Sequence, residues 1–184
     1  MKAIRAIALF TAVHAASCLA AAPSSVTISE NSIRIHGVEL RTGPQASTGK
    51  SISLSAAEKV LGPPQDNYVA GLGLHVYAWR DAGIHVQRGF RGPENGKILK
   101  FQVWFVNDYD RAEDKHTGKF TSVVDVEGID IEPDTTFDSI RDALQKAGFE
   151  ITENADVTIA KKGDISIFTV ETTNKIQRVE AWCT

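Results

Sequence analysis

The chain has 184 residues, a formal charge of −3 and a hydrophobic fraction of 42%, an ordinary composition for one globular domain or two small ones. A mildly acidic chain lacks the basic surface expected of a nucleic-acid binder or of a protein that binds anionic membranes. The same charge would suit a partner protein with a basic surface.

Residues 1–22 have the features of a secretory signal peptide. Lys2 and Arg5 supply the positive charge, residues 6–16 form an apolar run, and small residues follow. The run is too short for a membrane-spanning helix, which needs about 20 apolar residues. We therefore expect export and removal of this segment.

The cleavage site has two interpretations. Cleavage after Ala20 predicts a soluble periplasmic or secreted protein, whereas lipidation of Cys18 would anchor the protein to the envelope. Both leave no second cysteine for Cys183, so we expect no intrachain disulfide. We interpret Cys183 as a small apolar residue on the inner face of the last strand.

A strand pattern that occurs twice predicts an internal duplication. Residues 97–104 and 175–182 both begin with Lys-Ile, carry a basic residue at the fourth position and end in Trp. Both alternate apolar and polar residues, as half-buried strands do. We predict an α+β protein made of two β-β-α-β-β-β units, with one helix packed on each antiparallel sheet. The units span residues 24–106 and 119–184, joined by a charged linker at 107–118.

Each unit is expected to open with short strands and a glycine turn, since residues 36–40 match 127–131 around Gly37 and Gly128. A helix then follows at residues 53–61 and 136–147.

Each helix has one apolar face, an N-cap residue and a C-terminal glycine. The N-caps are Ser53 and Thr136, and the glycines are Gly62 and Gly148. Three strands complete each unit, at residues 74–79, 84–88 and 97–105 and at residues 155–160, 164–168 and 175–183.

The sequence contains no recognised catalytic motif. It lacks the nucleophile elbow Gly-x-Ser-x-Gly, a phosphate-binding loop and a dinucleotide fingerprint. The histidines lack the spacing of a helical zinc site, and the acidic linker lacks the glycine of an EF-hand loop. We predict no cofactor, no metal and no catalytic residue, with a hydrolase that lacks a motif as a remaining alternative.

Alternation along the strands predicts a binding face. We interpret Val76 and Ala78 as facing the helix, so their neighbours in that strand would lie on the opposite face. Aromatic side chains among polar ones are typical of protein-recognition surfaces. The predicted partner-binding residues are Tyr77, Trp79, His85, Lys100, Gln102, Trp104 and Trp182. The alternative is that these rings pack between the two units.

The run Tyr77-x-Trp79-x-Asp81-x-Gly83-Ile84 resembles the Trp-Asp-x-x-Gly-Ile hairpin of an uncharacterised bacterial exported domain family. The likeness covers residues 52–105 and implies no catalytic residues. A looser architectural similarity is to beta-lactamase-inhibitor-protein-like tandem repeats, which use an aromatic sheet face.

These features together favour an exported protein that binds and inhibits another protein. A periplasmic immunity protein that occludes a toxin effector is the specific expectation. The predicted partner is a protein and not a nucleic acid, and membrane contact is expected only if Cys18 is lipidated. The alternatives are an envelope protein with a structural or assembly role and, third, a hydrolase.

Overall fold

The computed structural model describes residues 26–42, 51–70, 73–89, 98–105, 119–169 and 173–183. The predicted signal peptide and the predicted linker lie outside the described residues. Within them the chain forms two helices, α1 (Leu54–Leu61) and α2 (Phe137–Lys146), close to the predicted positions. No helix of the described ranges is both long and apolar enough to cross a membrane.

A five-stranded sheet combines strands from both halves of the chain. Its strands are β1 (Val26–Ser29), β2 (Ser32–Ile35), β3 (Val38–Glu39), β10 (Val124–Val126) and β11 (Ile129–Ile131). Their order is β11-β10-β1-β2-β3, with β1 parallel to β10 and antiparallel to β2. A separate short pair, β4 (Arg41–Thr42) and β5 (Ser51–Ile52), leads into α1.

An eight-stranded sheet is also shared between the halves. Its strands are β6 (Asp66–Ala70), β7 (Leu74–Trp79), β8 (Ile84–Gly89), β9 (Ile98–Trp104), β12 (Glu150–Glu153), β13 (Thr158–Lys162), β14 (Ile165–Thr169) and β15 (Ile176–Trp182). The order is β12-β13-β14-β15-β9-β8-β7-β6. The two strands of the repeated pattern, β9 and β15, are therefore antiparallel neighbours at its centre, with Gln102 opposite Glu180.

The α+β class is confirmed, but the sheets are distributed differently from the prediction. Instead of one sheet for each unit, each sheet takes strands from both halves. The physical reason is edge pairing: if the halves were separate, β9 and β15 would both expose unpaired backbone groups at a sheet edge. Pairing them satisfies both edges. Duplication of the unit stays a prediction.

Each half also has one strand more after its helix than predicted. The additional strands, β6 and β12, form the two edges of the eight-stranded sheet. Neither strand has a fully buried residue, and Val69 of β6 is 64% exposed. Because neither strand has a fully buried apolar face, the alternation of apolar and polar residues that predicts a half-buried strand is absent from both.

The two predicted glycine turns have the same backbone conformation. His36 and Gly37 have φ of 50° and 75°, and Glu127 and Gly128 have φ of 55° and 82°. Two successive positive φ angles are the signature of the tight turn that suits the twist of a hairpin. Both predicted glycine turns are thus present, in the hairpins β2–β3 and β10–β11.

One of the two predicted N-caps is confirmed. The Ser53 hydroxyl accepts a hydrogen bond from the backbone N–H of Ala56 at 3.2 Å. The Thr136 side chain makes no capping bond. Instead, the backbone N–H of Phe137 donates to the carbonyl of Asn174 at 2.7 Å, which ties the start of α2 to the segment before β15.

A single apolar core lies between the two sheets and the helices. Ile28 and Val126 of the five-stranded sheet, Phe137 of α2 and Phe101 and Val103 of β9 all belong to it. Cys183 is a buried thiol in the same core, as predicted. One face of the eight-stranded sheet therefore packs in the core, and the other face points away from it.

Candidate functional site

The face of the eight-stranded sheet that points away from the core, called here the outer face, carries rows of polar and aromatic side chains. The rows cross strands β8, β9, β15 and β14. By strand register, the first row holds Gln87, Lys100 and Trp182; the second holds His85, Gln102, Glu180 and Ser166; and the third holds Trp104, Arg178 and Phe168.

Glu180 is the buried centre of this arrangement, with only 3% of its surface exposed. Arg178 Nε and Lys100 Nζ lie 2.8 Å and 3.1 Å from its two carboxylate oxygens. The side-chain amide of Gln102 donates to the same carboxylate at 2.7 Å. The carboxylate is therefore fully satisfied, as a buried charge must be to avoid a large desolvation penalty.

The environment of Glu180 also determines its protonation. Burial on its own would raise the pKa of this carboxyl, but the hydrogen bond and charge of Arg178, the charge of Lys100 and the hydrogen bond from Gln102 outweigh burial and hold the pKa below its usual value. Glu180 is consequently ionised at neutral pH, and it fixes both cations beside it.

Both cations also lie over aromatic rings. The guanidinium carbon of Arg178 is 4.0 Å from the ring centre of Phe168 and 4.9 Å from that of Trp104. Lys100 Nζ is 3.9 Å from the ring centre of Trp182. These distances are within the range of favourable cation–π contacts. Each tryptophan of the repeated strands thus contacts the cation of the other strand.

The two tryptophan rings differ in exposure. Trp182 is 38% exposed, whereas Trp104 is half-buried and packs near the buried ring of His85 at 5.9 Å between ring centres. The Trp104 indole nitrogen is buried, and no acceptor in the described part of the chain bonds to it. Solvent therefore reaches the cluster at Trp182, whereas Trp104 and His85 pack in its interior.

Five of the seven predicted binding residues lie together on the outer face. They are His85, Lys100, Gln102, Trp104 and Trp182. The predicted face is correct for residues 100–104 of β9 and 178–182 of β15, where polar and apolar side chains alternate; before them a bulge in the pairing turns Ile98 and Ile176 into the core. Their role in binding stays a prediction.

Tyr77 and Trp79 were predicted on the wrong face. Trp79 lies opposite Ile84, and Tyr77 lies opposite Val86, so both rings point into the core. Trp79 is 2% exposed, and its indole N–H donates to the carbonyl of Gly62 at 2.8 Å. Tyr77 is 8% exposed and belongs to the same core cluster.

The cause of this error is that β7 is apolar on both faces. Val76 and Ala78 are buried as well, but they do not belong to the core cluster. They lie on the outer face, where Ala78 is opposite His85. Side-chain polarity within β7 therefore does not identify the core face; its pairing with β8 does.

Sequence reasoning left Phe168, Arg178 and Glu180 out of the predicted set. The signal for Arg178 and Glu180 was present, because they occupy the positions of Lys100 and Gln102 in the repeated pattern. Phe168 has no such counterpart, and only the pairing of β14 with β15 places it beside Arg178.

A concave region lies at the start of α2. It is a polar groove of about 230 Å³ whose lining includes Asp138, Arg141 and Glu153. Arg141 pairs with both carboxylates, which raises the pKa of its guanidinium through its hydrogen bonds to them. No group of three or more potential metal-ligating side chains occurs within the described ranges. The charged side chains of Asp138, Arg141 and Glu153 thus pair with one another in this groove.

No family model matches the chain, and no curated protein does either. The resemblance at residues 77–84 therefore stays a prediction. Among solved structures, the chain is similar to a DUF4309 family protein of Bacillus subtilis, a family of unknown function. The identity is 10%, the match covers 84% of this chain and 88% of that one, and the TM-score is 0.39.

A second similar structure is a cysteine-rich secretory protein of Staphylococcus aureus. The identity is 15%, the TM-score is 0.34, and the match covers 76% of this chain but only 45% of that chain.

Proposed function

We propose that this protein binds another protein through the outer face of its eight-stranded sheet. The observation that carries the proposal is the cluster of Trp104, Trp182, Arg178 and Lys100 where β9 and β15 meet. Trp and Arg are the residue types enriched among the side chains that dominate binding energy at protein interfaces. One face of an eight-stranded sheet supplies the area that such an interface needs.

The geometry of the cluster supports binding beyond its role in joining the two halves. A purely internal junction would bury all of its members, but Trp182 is 38% exposed, and the Lys100 and Arg178 side chains keep 14% and 22% of their surfaces. Their positions are nevertheless fixed by Glu180. A surface ordered in advance loses less conformational entropy when a partner binds.

The setting we propose is the bacterial envelope, with the signal peptide directing export and the partner a toxin effector that is neutralised by occlusion. In this mechanism the sheet face covers a functional surface of the partner, with no turnover and no cofactor. The alternative of an envelope assembly role predicts a structural envelope component on the same face instead of a toxin.

Export is tested by the intact mass of the protein isolated from its native host. The mature chain should begin near Ala21, or at Cys18 with a lipid attached. A full-length species that retains Met1 in the cytoplasm would contradict the proposed setting.

Binding is tested by recovering partners of the tagged protein from its native periplasm and then measuring affinity with the purified partner. Trp182→Ala should weaken binding by about 30-fold or more, because central aromatic anchors contribute about 2 kcal/mol or more. Val69→Ala is the matched control, since Val69 is also an exposed apolar residue but lies on edge strand β6. Equal affinity of the wild type, Trp182→Ala and Trp104→Ala would rule out the outer face as the binding surface.

A further inference from the structure

The four central strands of the outer face carry a charge opposite in sign to that of the whole chain, whereas the flanking strands carry Asp66, Glu150 and Lys161 on the same face. The chain carries a net charge of −3. On the outer face of β8, β9, β14 and β15, however, the charged side chains are the cations Lys100 and Arg178 and the carboxylate Glu180. This region therefore has an excess positive charge, although the overall composition suggests a basic partner.

Both cations retain hydrogen-bonding capacity. Arg178 uses Nε for Glu180 and Nη1 for the side-chain oxygen of Gln177. No acceptor among the described residues bonds to its Nη2, and the Lys100 ammonium has three protons and one ion pair, to Glu180. Donors that are already held in position favour a second acceptor, because little rotamer freedom is left to lose.

We propose that the outer face recognises a carboxylate on an acidic segment of the partner protein, which binds Arg178 and Lys100 between Trp104 and Trp182. This inference rests on the proposed function and specifies the chemistry of the partner. Charge-assisted hydrogen bonds to a carboxylate are shorter and about twice as strong as neutral ones. The flanking indoles supply apolar contact and exclude water from the ion pairs.

The amount of charge favours a protein over other anionic partners. Recognition of an anionic membrane surface typically uses about 4–8 clustered basic residues, and salt-dependent binding to DNA uses about 6–10 phosphate contacts in a typical case. The four central strands of the outer face offer two cations, one carboxylate and three aromatic rings, which suits one or two carboxylates on an otherwise apolar protein surface.

Glu180 provides a specific test because it competes with the partner for the same cations. Glu180→Gln keeps the size of the side chain and removes its charge. Binding of an acidic ligand should then become several-fold tighter, whereas Arg178→Gln should weaken it about tenfold or more, as expected for a hydrogen bond between charged groups. If Glu180 were needed only to build the surface, both substitutions would weaken binding.

The experiment is an NMR titration of the indole N–H signals of the three tryptophans of the chain. The probe is a synthetic peptide of alternating Glu and Gly with both ends capped, and the same peptide with Lys in place of Glu is its control. The Trp104 and Trp182 signals should move with the Glu peptide and not with the Lys peptide. Trp79 serves as an internal reference, because its indole is buried and bonded to Gly62.

Arg34→Gln is the matched control variant, since Arg34 pairs with Glu39 at 3.1 Å on an exposed site of the five-stranded sheet. It should leave the titration unchanged. A Trp104 and Trp182 response that is absent, or equal for the two peptides, would overturn the inference. Binding to phosphatidylglycerol vesicles without a peptide response would overturn it in favour of a lipid headgroup.

The two proposals fail separately. If a purified partner needs Trp182 but binds Arg178→Gln as tightly as the wild type, the carboxylate inference is wrong and the binding face stands. If a partner is indifferent to Trp182 and Trp104, the binding face itself is wrong.

Discussion

The two faces of the eight-stranded sheet are both extensively buried, but they are stabilised in different ways. On the core face, Phe101 and Val103 of β9 are fully buried among other apolar side chains. On the outer face of the same strand, Gln102 is 4% exposed and lies beside the equally buried Glu180. Low exposure alone therefore does not distinguish the core from a polar layer; the hydrogen bonds do.

This difference predicts two kinds of response to mutation. Truncation on the core face removes apolar contacts and leaves a cavity, which destabilises the fold in proportion to the lost volume. Truncation on the outer face instead leaves a charged or polar neighbour without its partner, and the effect depends on how much water can reach that neighbour.

The largest effect is expected for Trp79→Ala. Because Trp79 is the largest fully buried side chain on the core face, its loss should lower the free energy of unfolding by about 3–5 kcal/mol, as for other buried Trp→Ala changes. Denaturant unfolding measures this directly. A loss below about 1 kcal/mol would mean that Trp79 is not part of the core.

The next largest effect is expected at the turn that determines which residues face each other across β7 and β8. Gly83 has a φ of 61°, and a Cβ there would lie 2.2 Å from the backbone nitrogen of Phe120. Gly83→Ala should therefore destabilise by about 2 kcal/mol or more, combining the left-handed conformation with a collision. Gly37→Ala is the control: it has a φ of 75° and open space at the Cβ position, so about 1–2 kcal/mol is expected. Equal losses would contradict a role for the close approach.

The same turn shows why part of the site was not predictable from sequence. Alternation predicts faces correctly over residues 100–104 of β9 and 178–182 of β15, because one face of each segment is apolar and the other is mainly polar. β7 lacks this contrast, since Val76, Tyr77, Ala78 and Trp79 are all apolar or aromatic. Only the pairing of Trp79 with Ile84 across the turn identifies the face, and that pairing depends on backbone geometry at Gly83.

The alternation pattern also did not predict that each sheet would contain strands from both halves of the chain. The repeated pattern predicted that residues 97–104 and 175–182 occupy equivalent strands, and each is the last strand of its half. It could not predict that β9 and β15 pair with each other, because an exposed edge and a paired edge have the same alternation. Phe168 was missed for a different reason, because its place beside Arg178 depends on the register between β14 and β15, which shifts next to Phe168.

Removal of the charge of Glu180 should have an intermediate effect. Glu180→Gln leaves Lys100 and Arg178 without their counter-charge, and because both are partly exposed, water offsets some of the loss. We expect a decrease of about 1–3 kcal/mol in the free energy of unfolding at neutral pH. Urea unfolding of the variant against the wild type measures it.

The pH dependence of this difference identifies its cause. Since the pKa of Glu180 is lowered in the fold from 4.5, its stabilisation is fully present above that value and is lost as the pH falls through the lowered folded pKa. The gap between wild type and variant should therefore close in acid. Glu39 and Glu127 also have lowered pKa values, so the wild type and the variant both lose stability in acid. Only the difference between their free energies of unfolding is due to Glu180. A gap independent of pH would indicate lost packing instead of lost charge.

The smallest effect on stability is expected for Trp182→Ala, the outer-face counterpart of Trp79→Ala. Trp182 ends β15, is 38% exposed and contacts the Lys100 ammonium at 3.9 Å. An exposed cation–π contact contributes about 0.5–1 kcal/mol, so the free energy of unfolding should fall by no more than about 1 kcal/mol. For Trp182→Phe, which keeps a ring over Lys100, the free energy of unfolding should fall by less. The same ring is nevertheless expected to matter most for binding, because it is the exposed aromatic side chain that a partner can bury. A stability loss near that of Trp79→Ala would instead assign Trp182 to internal packing and remove the contrast between the two faces.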